Sequence, residues 1–298
     1  TAFAKLNPFE GLEINFDYTY NYYNYSFKNH VREYIDYDAD GNQGSIFPHT
    51  SPNQVSYNKR ESQYDVFNAY ATYKKKINKV HALEGMIGFN QENATYKGVG
   101  LSRNNLIAND IPFLNLATGD RSTSDYMNQW AIRGAFFRLF YAYDDKYLVQ
   151  VNGRYDGSSR FPKDDRFAFF PTFSLGWRLS QEKFWKPIAH IVNDFKIRGS
   201  YGLVGSDAFA SGAPHFLYQN NIGIGSAHNF WTGLPTSEIS KKGPGFYVLA
   251  VQDAGWEHVK KFDIGFDMML FNQLNITFDY FHDKRERILM SRASWPSM

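Results

Sequence analysis

Strict alternation of apolar and polar residues constrains the fold of this chain more than any other feature of its sequence. In Leu12–Tyr22 every even-numbered position is Leu, Ile, Phe or Tyr, and every odd-numbered position is Glu, Asn, Asp or Thr. Tyr147–Asp156 and Pro171–Leu179 follow a similar two-residue period. Successive side chains of a β-strand point to opposite faces, so each stretch predicts a strand with one apolar and one polar face. Strands of about 10 residues cross a bilayer when they are tilted.

The same period predicts about nine strands along the whole chain. They are Leu12–Tyr22, Tyr64–Tyr73, His81–Phe89, Trp130–Tyr143, Tyr147–Asp156, Pro171–Leu179, Phe195–Leu203, Phe262–Leu270 and Leu274–Tyr280. Short turns are predicted at Lys74–Lys79, Asp144–Lys146 and Phe271–Gln273. The longer connection Ser180–Asn193 is predicted to contain a helical turn at Glu182–Trp185.

Long polar and Gly-rich stretches alternate with these short turns. We expect loops at Asn24–Ser62, Asn93–Asp125, Gly157–Arg166 and Val204–Gly255. Short periplasmic turns and long extracellular loops are typical of outer-membrane barrels. In that arrangement the long loops are extracellular. An aromatic girdle is then expected at the periplasmic strand ends, formed by Tyr141, Tyr143, Tyr147 and Trp177.

Composition agrees with a membrane barrel. Aromatic residues make up 18% of the chain, yet the mean hydropathy of −0.49 is polar. An aromatic outer face and a polar inner face produce this combination. No run of about 18 apolar residues occurs, which excludes a membrane-spanning helix. The chain has no cysteine, so disulfides and thiol metal sites are excluded. The net charge of +2 argues against nucleic acid as a partner.

These patterns predict an all-β, antiparallel, up-and-down transmembrane β-barrel. Bacterial single-chain barrels have even strand numbers, and those of plugged transporters reach 22. An open sheet of nine strands leaves two bare edges, which are unstable in lipid. The first residues also lack the features of a signal peptide. We therefore expect residues 1–298 to be an internal piece of a single, larger barrel domain, without the plug domain and the closing strands.

Four sequence blocks resemble the SusC/RagA family of TonB-dependent outer-membrane transporters. They are Asp156–Phe161, Phe170–Ser180, Lys196–Gly202 and Phe278–Phe281. The resemblance implies import of oligosaccharides (glycans) or peptides across the outer membrane of a Gram-negative, Bacteroidetes-like bacterium. It also implies a SusD-like surface lipoprotein and coupling to the TonB complex through a plug segment that this chain does not contain. Outer-membrane lipid would surround the barrel, and no cofactor is implied.

Charged residues recur on the predicted polar face. Four basic residues lie on three adjacent strands: Arg154, Arg178, Lys196 and Arg198. The acidic residue Asp156 lies near the rim, and three more acidic residues lie on the last two strands: Asp263, Asp267 and Asp279. Our hypothesis is that they grip a removable plug and line the permeation path. The alternative is a solvated lumen that tolerates any polar residue.

Two loop features are candidate ligand sites. Aromatic residues in or beside the longest loop are candidate contacts for a ligand or a lid protein, or they pack the loop itself: Phe230, Trp231, Phe246, Tyr247 and Trp256. Asp36, Asp38 and Asp40 resemble the start of a calcium loop, but Phe47 stands where the bidentate Glu belongs. An Asp/Gly-rich turn is the alternative, and we predict no metal site.

Enzyme signatures are missing, because the chain has no HExxH, GxSxG, P-loop or Rossmann motif. We therefore predict a transporter that performs no covalent chemistry. Two other functions remain open. One is a passive porin or structural barrel without a plug. The other is a soluble β-rich glycan-binding protein, in which Phe16, Val151, Phe173 and Ile264 would meet in an internal core.

Overall fold

A computed structural model describes residues 1–46, 50–208, 216–232, 239–248, 250–251 and 253–288, without the side chains of 221–232 and 239–248. It contains fourteen strands, in chain order β1 Ala2–Phe9, β2 Leu12–Val31, β3 Ile35–Tyr37, β4 Gln43–Ile46, β5 Gln54–Ile77, β6 His81–Asn104, β7 Arg121–Tyr143, β8 Tyr147–Ser158, β9 Phe167–Arg178, β10 Val192–Ser206, β11 Asn221–Thr232, β12 Ile239–Val248, β13 Glu257–Leu270 and β14 Leu274–Glu286. Short 3-10 helices lie at Leu114–Leu116, Leu179–Gln181 and Lys183–Ile188. No helix in the described residues is long and apolar enough to cross a membrane.

Ten strands form one antiparallel sheet in the order β1-β2-β5-β6-β7-β8-β9-β10-β13-β14. Neighbours in the sheet follow one another along the chain except where the hairpins β3–β4 and β11–β12 are inserted. The register places similar side chains opposite each other on neighbouring strands. Tyr147 lies opposite Trp177, and Val149 lies opposite Leu175. A shift by one residue would turn every one of these side chains to the other face. The predicted all-β, up-and-down architecture is confirmed.

The predicted short turns Asp144–Lys146 and Phe271–Gln273 are confirmed, whereas the predicted turn Lys74–Lys79 is wrong in part, because β5 extends to Ile77. Backbone geometry explains all three turns. Consecutive residues with positive φ close three hairpins, at Asn78 and Lys79, Asp144 and Asp145, and Phe271 and Asn272. Two such residues in a row match the right-handed twist of the strands they join, and Asn and Asp tolerate this conformation best. The 3-10 helix Lys183–Ile188 likewise confirms the helical turn predicted between β9 and β10.

Several strands are longer than predicted, so three predicted loops are wrong in part. β5 and β6 each have 24 residues, and β2 has 20. These strands take up much of Asn24–Ser62 and Asn93–Asp125, while β11 and β12 lie inside Val204–Gly255. The strand β1 was missed, so the sheet has ten strands rather than nine. Backbone pairing sustains a strand even where neither face is consistently apolar, and there the period-two signal disappears.

The chain divides into two compact units, which are described separately. Unit 1 comprises Thr1–Tyr18, Val66–Glu92 and Ala131–Met298, and unit 2 comprises Thr19–Asp65 and Asn93–Trp130. Within the described residues, each unit has a small buried cluster. In unit 1 it contains Phe161, Phe170 and Trp256. In unit 2 it contains Val55, Leu106 and Ala117.

The apolar face of the sheet in unit 1 is exposed. The exposed fraction is 39% for Phe16, 52% for Phe173, 45% for Ile264 and 63% for Leu175, and Val151 is half-buried. Soluble monomeric proteins rarely expose a continuous apolar surface of this kind. The rings therefore do not form the internal core that a soluble β-rich protein requires. They form the outward surface of a sheet that faces hydrocarbon.

Candidate functional site on the polar face of the sheet

The opposite side of the same strands in unit 1 forms a polar face. Pairing places Lys196 between Arg178 on β9 and Asp267 on β13. Two residues further along β10, Arg198 lies between Gly176 and Gly265. Gly265 is in turn paired with Asp279 on β14. Antiparallel register thus gathers basic and acidic residues that are up to 81 positions apart in the sequence.

Arg198 is surrounded by three carboxylates. Its Nη1 lies 2.6 Å from Asp279 Oδ1 and 3.4 Å from Asp263 Oδ1, and its Nε lies 3.2 Å from Asp267 Oδ2. Gly265 makes this arrangement possible, because a Cβ there would collide with the Asp279 carboxylate and with the Phe278 carbonyl oxygen. Arg198 and Lys196, which lies opposite Asp267 in the strand register, stand against three carboxylates and leave a local excess of one negative charge on the polar face.

Arg154 and Asp156 form a second ion pair on β8. Arg154 donates from Nε to Asp156 Oδ2 over 3.0 Å and from Nη2 to Oδ1 over 2.9 Å. The guanidinium also lies 5.4 Å from the centre of the Phe136 ring. Asp156 reaches across Gly134, whose missing side chain leaves room for the carboxylate. Two parallel hydrogen bonds hold the arginine in one orientation.

The other two predicted basic residues, Arg178 and Lys196, differ in their contacts. Arg178 Nε lies 3.6 Å from Asp194 Oδ1, and the same carboxylate accepts a short hydrogen bond from the Ser180 hydroxyl. Lys196 takes part in no ion pair within the described part of the chain. Its ammonium is therefore the member of the predicted set most open to a further partner.

The sequence did not indicate a third charged group on this face. Arg138 donates to Glu84 over 2.7 Å, and Lys74 Nζ lies 3.4 Å from the same carboxylate. These three residues line a cleft of about 670 Å³, which Glu13 and Tyr70 also line. Lys74 belongs to β5, although the sequence assigned it to a turn. Glu84 had been placed on a strand, but no sequence signal identified its partners across the sheet.

An aromatic row borders the apolar face at the short-turn end. Rings of Tyr143 and Tyr147 lie 6.3 Å apart, as do those of Tyr147 and Trp177. Tyr141 accompanies this row, and its hydroxyl lies 2.8 Å from His81 Nδ1. The predicted girdle residues therefore lie together at the short-turn ends of β7, β8 and β9.

A carboxylate from the connection after β9 is bonded to this row. Glu182 Oε1 accepts hydrogen bonds from the Tyr147 hydroxyl over 2.7 Å and from Trp177 Nε1 over 3.2 Å. These bonds, that from Tyr147 first, lower the pKa of Glu182 below its ordinary value of 4.5. This shift favours an ionised Glu182 that anchors the rings.

Trp256 lies in a buried cluster rather than on an accessible surface. It is 6% exposed, its ring packs 5.2 Å from Phe161 and 5.3 Å from Phe170, and its Nε1 donates to the Arg166 carbonyl over 3.0 Å. Trp256 therefore packs the protein itself and is not an accessible ligand contact. The other predicted aromatic contacts have their backbone in β11 or β12, and their side chains lie outside the described residues: Phe230, Trp231, Phe246 and Tyr247.

The candidate calcium loop is the turn of the hairpin β3–β4. Asp38 Oδ1 accepts bonds from the backbone N–H of Asp40 (3.0 Å) and of Asn42 (2.8 Å), and Asp38 Oδ2 accepts one from the Asn42 side chain (3.0 Å). These hydrogen bonds lower the pKa of Asp38, that from the Asn42 side chain most strongly. The described residues contain no cluster of three His, Cys, Asp or Glu suited to a metal. The contacts of Asp38 are those of an Asp/Gly-rich turn, which was the alternative to a calcium loop. Phe47 lies outside the described residues.

Comparisons with known proteins agree with this geometry. The profile of a family described as "TonB dependent receptor-like, beta-barrel" matches residues 3–297. TonB-dependent receptor P3 of Formosa agariphila is 26% identical over 242 residues, which are 80% of this chain and 23% of that protein. TonB-dependent receptor SusC of Bacteroides thetaiotaomicron is 36% identical over 85 residues, which are 28% of this chain and 8% of that protein. The chain thus spans less than a quarter of either relative.

A solved structure described as the RagAB peptide transporter has the same fold. Its TM-score to this chain is 0.81 at 18% sequence identity, over 97% of this chain and 30% of that chain. The arrangement of strands in this chain therefore matches that of a solved structure, in addition to the sequence similarity. Because the family profile covers nearly the whole chain, this chain belongs to the TonB-dependent receptor-like β-barrel family and resides in the outer membrane.

Proposed function

We propose that the receptor containing this chain imports oligosaccharides or peptides across the outer membrane, driven by the TonB complex. Residues 1–298 would supply part of the wall of a single transmembrane barrel domain. One observation carries the proposal, namely that the sheet has an exposed apolar face and, on its other side, a polar face crossed by ion pairs. Membership of the TonB-dependent receptor family supports the energy coupling. This is a family of receptors, so no catalytic role is proposed.

The polar face is proposed to hold a removable plug. The side chains of Arg154, Arg198 and Asp279 are part-exposed, whereas Asp156 is buried, so a plug segment can exchange hydrogen bonds with the two arginines and Asp279. The negative excess around Arg198 favours a basic plug side chain, whereas Lys196 favours an acidic one. Ion pairs of this exposure are weak, about 0–1 kcal/mol each. A contact built from such pairs is able to yield when force is applied to the plug.

Partners follow from the same proposal. A surface lipoprotein of the SusD type would cover the long-loop end, as the resemblance to SusC implies. The long loops would then face the cell exterior, and the aromatic row at Tyr147 and Trp177 would lie at the periplasmic interface. Aromatic rings of β11 and β12, including Trp231 and Tyr247, would contact the ligand or the lipoprotein.

Growth experiments test the import function. Deleting the receptor gene should abolish growth on one oligosaccharide or peptide, and inactivating the TonB complex should have the same effect. Growth on a monosaccharide small enough for porins is the control and should not change. Uptake that survives loss of the TonB complex would contradict the proposal and would favour a passive pore.

Charge reversal tests the role of the polar face. The double substitution Arg154→Glu and Arg198→Glu places like charges beside Asp156 and Asp279, so plug contacts should weaken. We expect a several-fold change in uptake and faster proteolysis of the plug in the intact receptor. The matched control is Lys59→Glu, which alters a charge in unit 2. Unchanged uptake together with unchanged plug protection would overturn this role.

A further inference from the structure

Unit 2 carries exposed aromatic rings at positions where the period-two pattern no longer marks an apolar face. Along β2 the even positions are apolar as far as Tyr22, whereas beyond Tyr22 the odd positions carry the rings: Tyr23, Tyr25 and Phe27. Tyr23 and Tyr25 stack with centres 6.5 Å apart and planes 10° apart, and Phe27 follows at 5.5 Å from Tyr25. Tyr23 is 59% exposed and Tyr25 is 45% exposed. The row is therefore ordered but accessible.

Further contacts along the same strands identify which residues share a face with this row. On one side of β5 and β6, Asn93 donates to Asp65 over 2.8 Å. On the other side, Asn68 on β5 donates to Asp17 on β2 over 2.7 Å, so the even positions of β5 share a face with the odd positions of β2. Strand residues alternate between faces. The even positions of β5 therefore lie on the side of Tyr23.

The same alternation adds rings from two more strands. Tyr64 on β5 contacts Trp130 on β7, with ring centres 6.2 Å apart. Tyr126, also on β7, is 50% exposed and lies across Gly98 on β6, whose missing side chain leaves room for the ring. We call the surface formed by Tyr23, Tyr25, Phe27, Tyr64, Tyr126 and Trp130 the aromatic face.

The polar residues on the aromatic face are almost all neutral. Between the rings lie Asn, Ser, Thr and Gln residues, such as Asn21, Asn58 and Ser62, and Arg60 is the one charged residue on this face within the described strands of unit 2. The opposite face differs, since it carries the ion pair Lys59–Glu61 at 2.5 Å. A ligand that buries a charge needs an opposite charge or several hydrogen bonds. The aromatic face therefore suits a ligand without net charge.

We infer that the aromatic face binds an uncharged oligosaccharide. The C–H faces of sugar rings stack on aromatic rings, while neutral amides and hydroxyls exchange hydrogen bonds with sugar hydroxyls. A row of rings 5.5–6.5 Å apart offers successive platforms to successive sugar units. Apolar and aromatic surface with a few neutral polar groups is typical of ligand sites. This inference rests on the proposed import function and selects, from the two substrate classes named there, neutral glycans over peptides.

An equilibrium binding experiment tests this inference. Purified intact receptor is applied to an array of neutral oligosaccharides of five to eight units and of uncharged peptides of similar length. The affinity of the best-bound glycan is then measured by calorimetry for the wild type and for two variants. Tyr23→Leu/Tyr25→Leu removes two exposed rings but retains apolar volume. The matched control Tyr20→Leu/Tyr22→Leu removes two rings from the opposite face of the same strand, which are 52% and 46% exposed.

We expect the Tyr23/Tyr25 variant to bind the glycan at least ten-fold more weakly, and the control variant to bind it within two-fold of the wild type. Retained barrel folding is checked by heat-modifiable migration on a gel. Equal affinities of the two variants, binding of no neutral glycan, or binding of peptides alone would each overturn the inference.

The outcome is separable from the import function. Binding is measured without the TonB complex, whereas import depends on it. Uptake that requires TonB but is unchanged by the Tyr23→Leu/Tyr25→Leu substitution would refute the glycan site alone. Ring-dependent glycan binding without TonB-dependent uptake would refute the import function alone.

Discussion

At the scale of single residues, the polar face depends on glycines as much as on charges. Arg198 reaches Asp279 across a strand, and the residue between them in the ladder is Gly265. The Arg154–Asp156 pair lies over Gly134 on the neighbouring strand β7. A charged side chain that crosses a neighbouring strand needs an absent side chain beneath it. The pairing of a charge with a glycine on the next strand is thus part of how these ion pairs form.

Gly265→Ala tests this requirement. The added methyl would collide with the Asp279 carboxylate and the Phe278 carbonyl, so Arg198 should lose its closest partner. Overpacking of this kind costs about 1–3 kcal/mol. The intact receptor should therefore unfold at a lower temperature, as judged by heat-modifiable migration. Gly199→Ala is the matched control, because its nearest neighbour would lie 3.7 Å away. Equal unfolding temperatures for the two variants would contradict this account.

At the scale of elements, the connection between β9 and β10 is packed against the apolar side of the sheet. Trp185 in its 3-10 helix stacks on Phe195 with ring centres 5.4 Å apart and planes 6° apart. Glu182 at its start is bonded to Tyr147 and Trp177. Phe184 remains 62% exposed. The connection thus extends the aromatic row along the short-turn end, where rings with one polar edge suit a membrane–water interface.

The pH dependence of the Glu182 contact has a definite sign. Hydrogen bonds from Tyr147 and Trp177 lower the pKa of Glu182 in the folded protein. A lowered folded pKa stabilises the fold above the ordinary value of 4.5, and that stabilisation is lost as the pH falls through the folded value. Glu182→Gln should therefore lower the unfolding temperature at neutral pH.

This difference between Glu182→Gln and the wild type should vanish in acid, below the folded pKa. Unfolding temperatures of the intact receptor across a pH series provide the measurement. Glu10→Gln is the control, because Glu10 is exposed in the turn after β1 and the described residues show no hydrogen bond to it. A pH-independent effect of Glu182→Gln would mean that charge does not hold the row.

At the scale of the whole chain, the decisive property is that adjacent residues of one strand face different solvents. Leu175 is 63% exposed on the apolar face, and Ser174 beside it is paired with Gln150 and Ser200 on the polar face. The strands β8, β9, β10 and β13 repeat this division in register. A sheet of this kind separates hydrocarbon from water across the thickness of a single backbone layer.

Spin labels on adjacent residues test this division directly. The chain has no cysteine, so Leu175→Cys and Ser174→Cys each add one labelling site to it. In the receptor reconstituted in lipid, a nitroxide at 175 should collide mainly with dissolved oxygen, which concentrates in hydrocarbon. A nitroxide at 174 should collide less with oxygen. Equal oxygen accessibility at the two positions would show that the apolar face does not contact lipid.

The success of sequence-based prediction depended on solvent contrast. Strands such as Leu12–Tyr22 and Phe262–Leu270 were found because lipid on one side and water on the other impose a period of two. The start of β5, before Tyr64, and the end of β6, after Phe89, were missed, because neither face is consistently apolar in these segments. No sequence signal indicated that Glu84 and Arg138 are partners, because they lie on different strands.

The sequence by itself determined the class of the fold, because alternating solvent preference along a strand is a local property that each stretch displays on its own. It also determined the turns, since backbone conformations at Asp144 or Asn272 depend on a few adjacent residues. Only the tertiary structure decided which charges meet. Pairing register brings Arg198 to Asp279 across 81 positions, and register is set by contacts between strands that no single stretch contains.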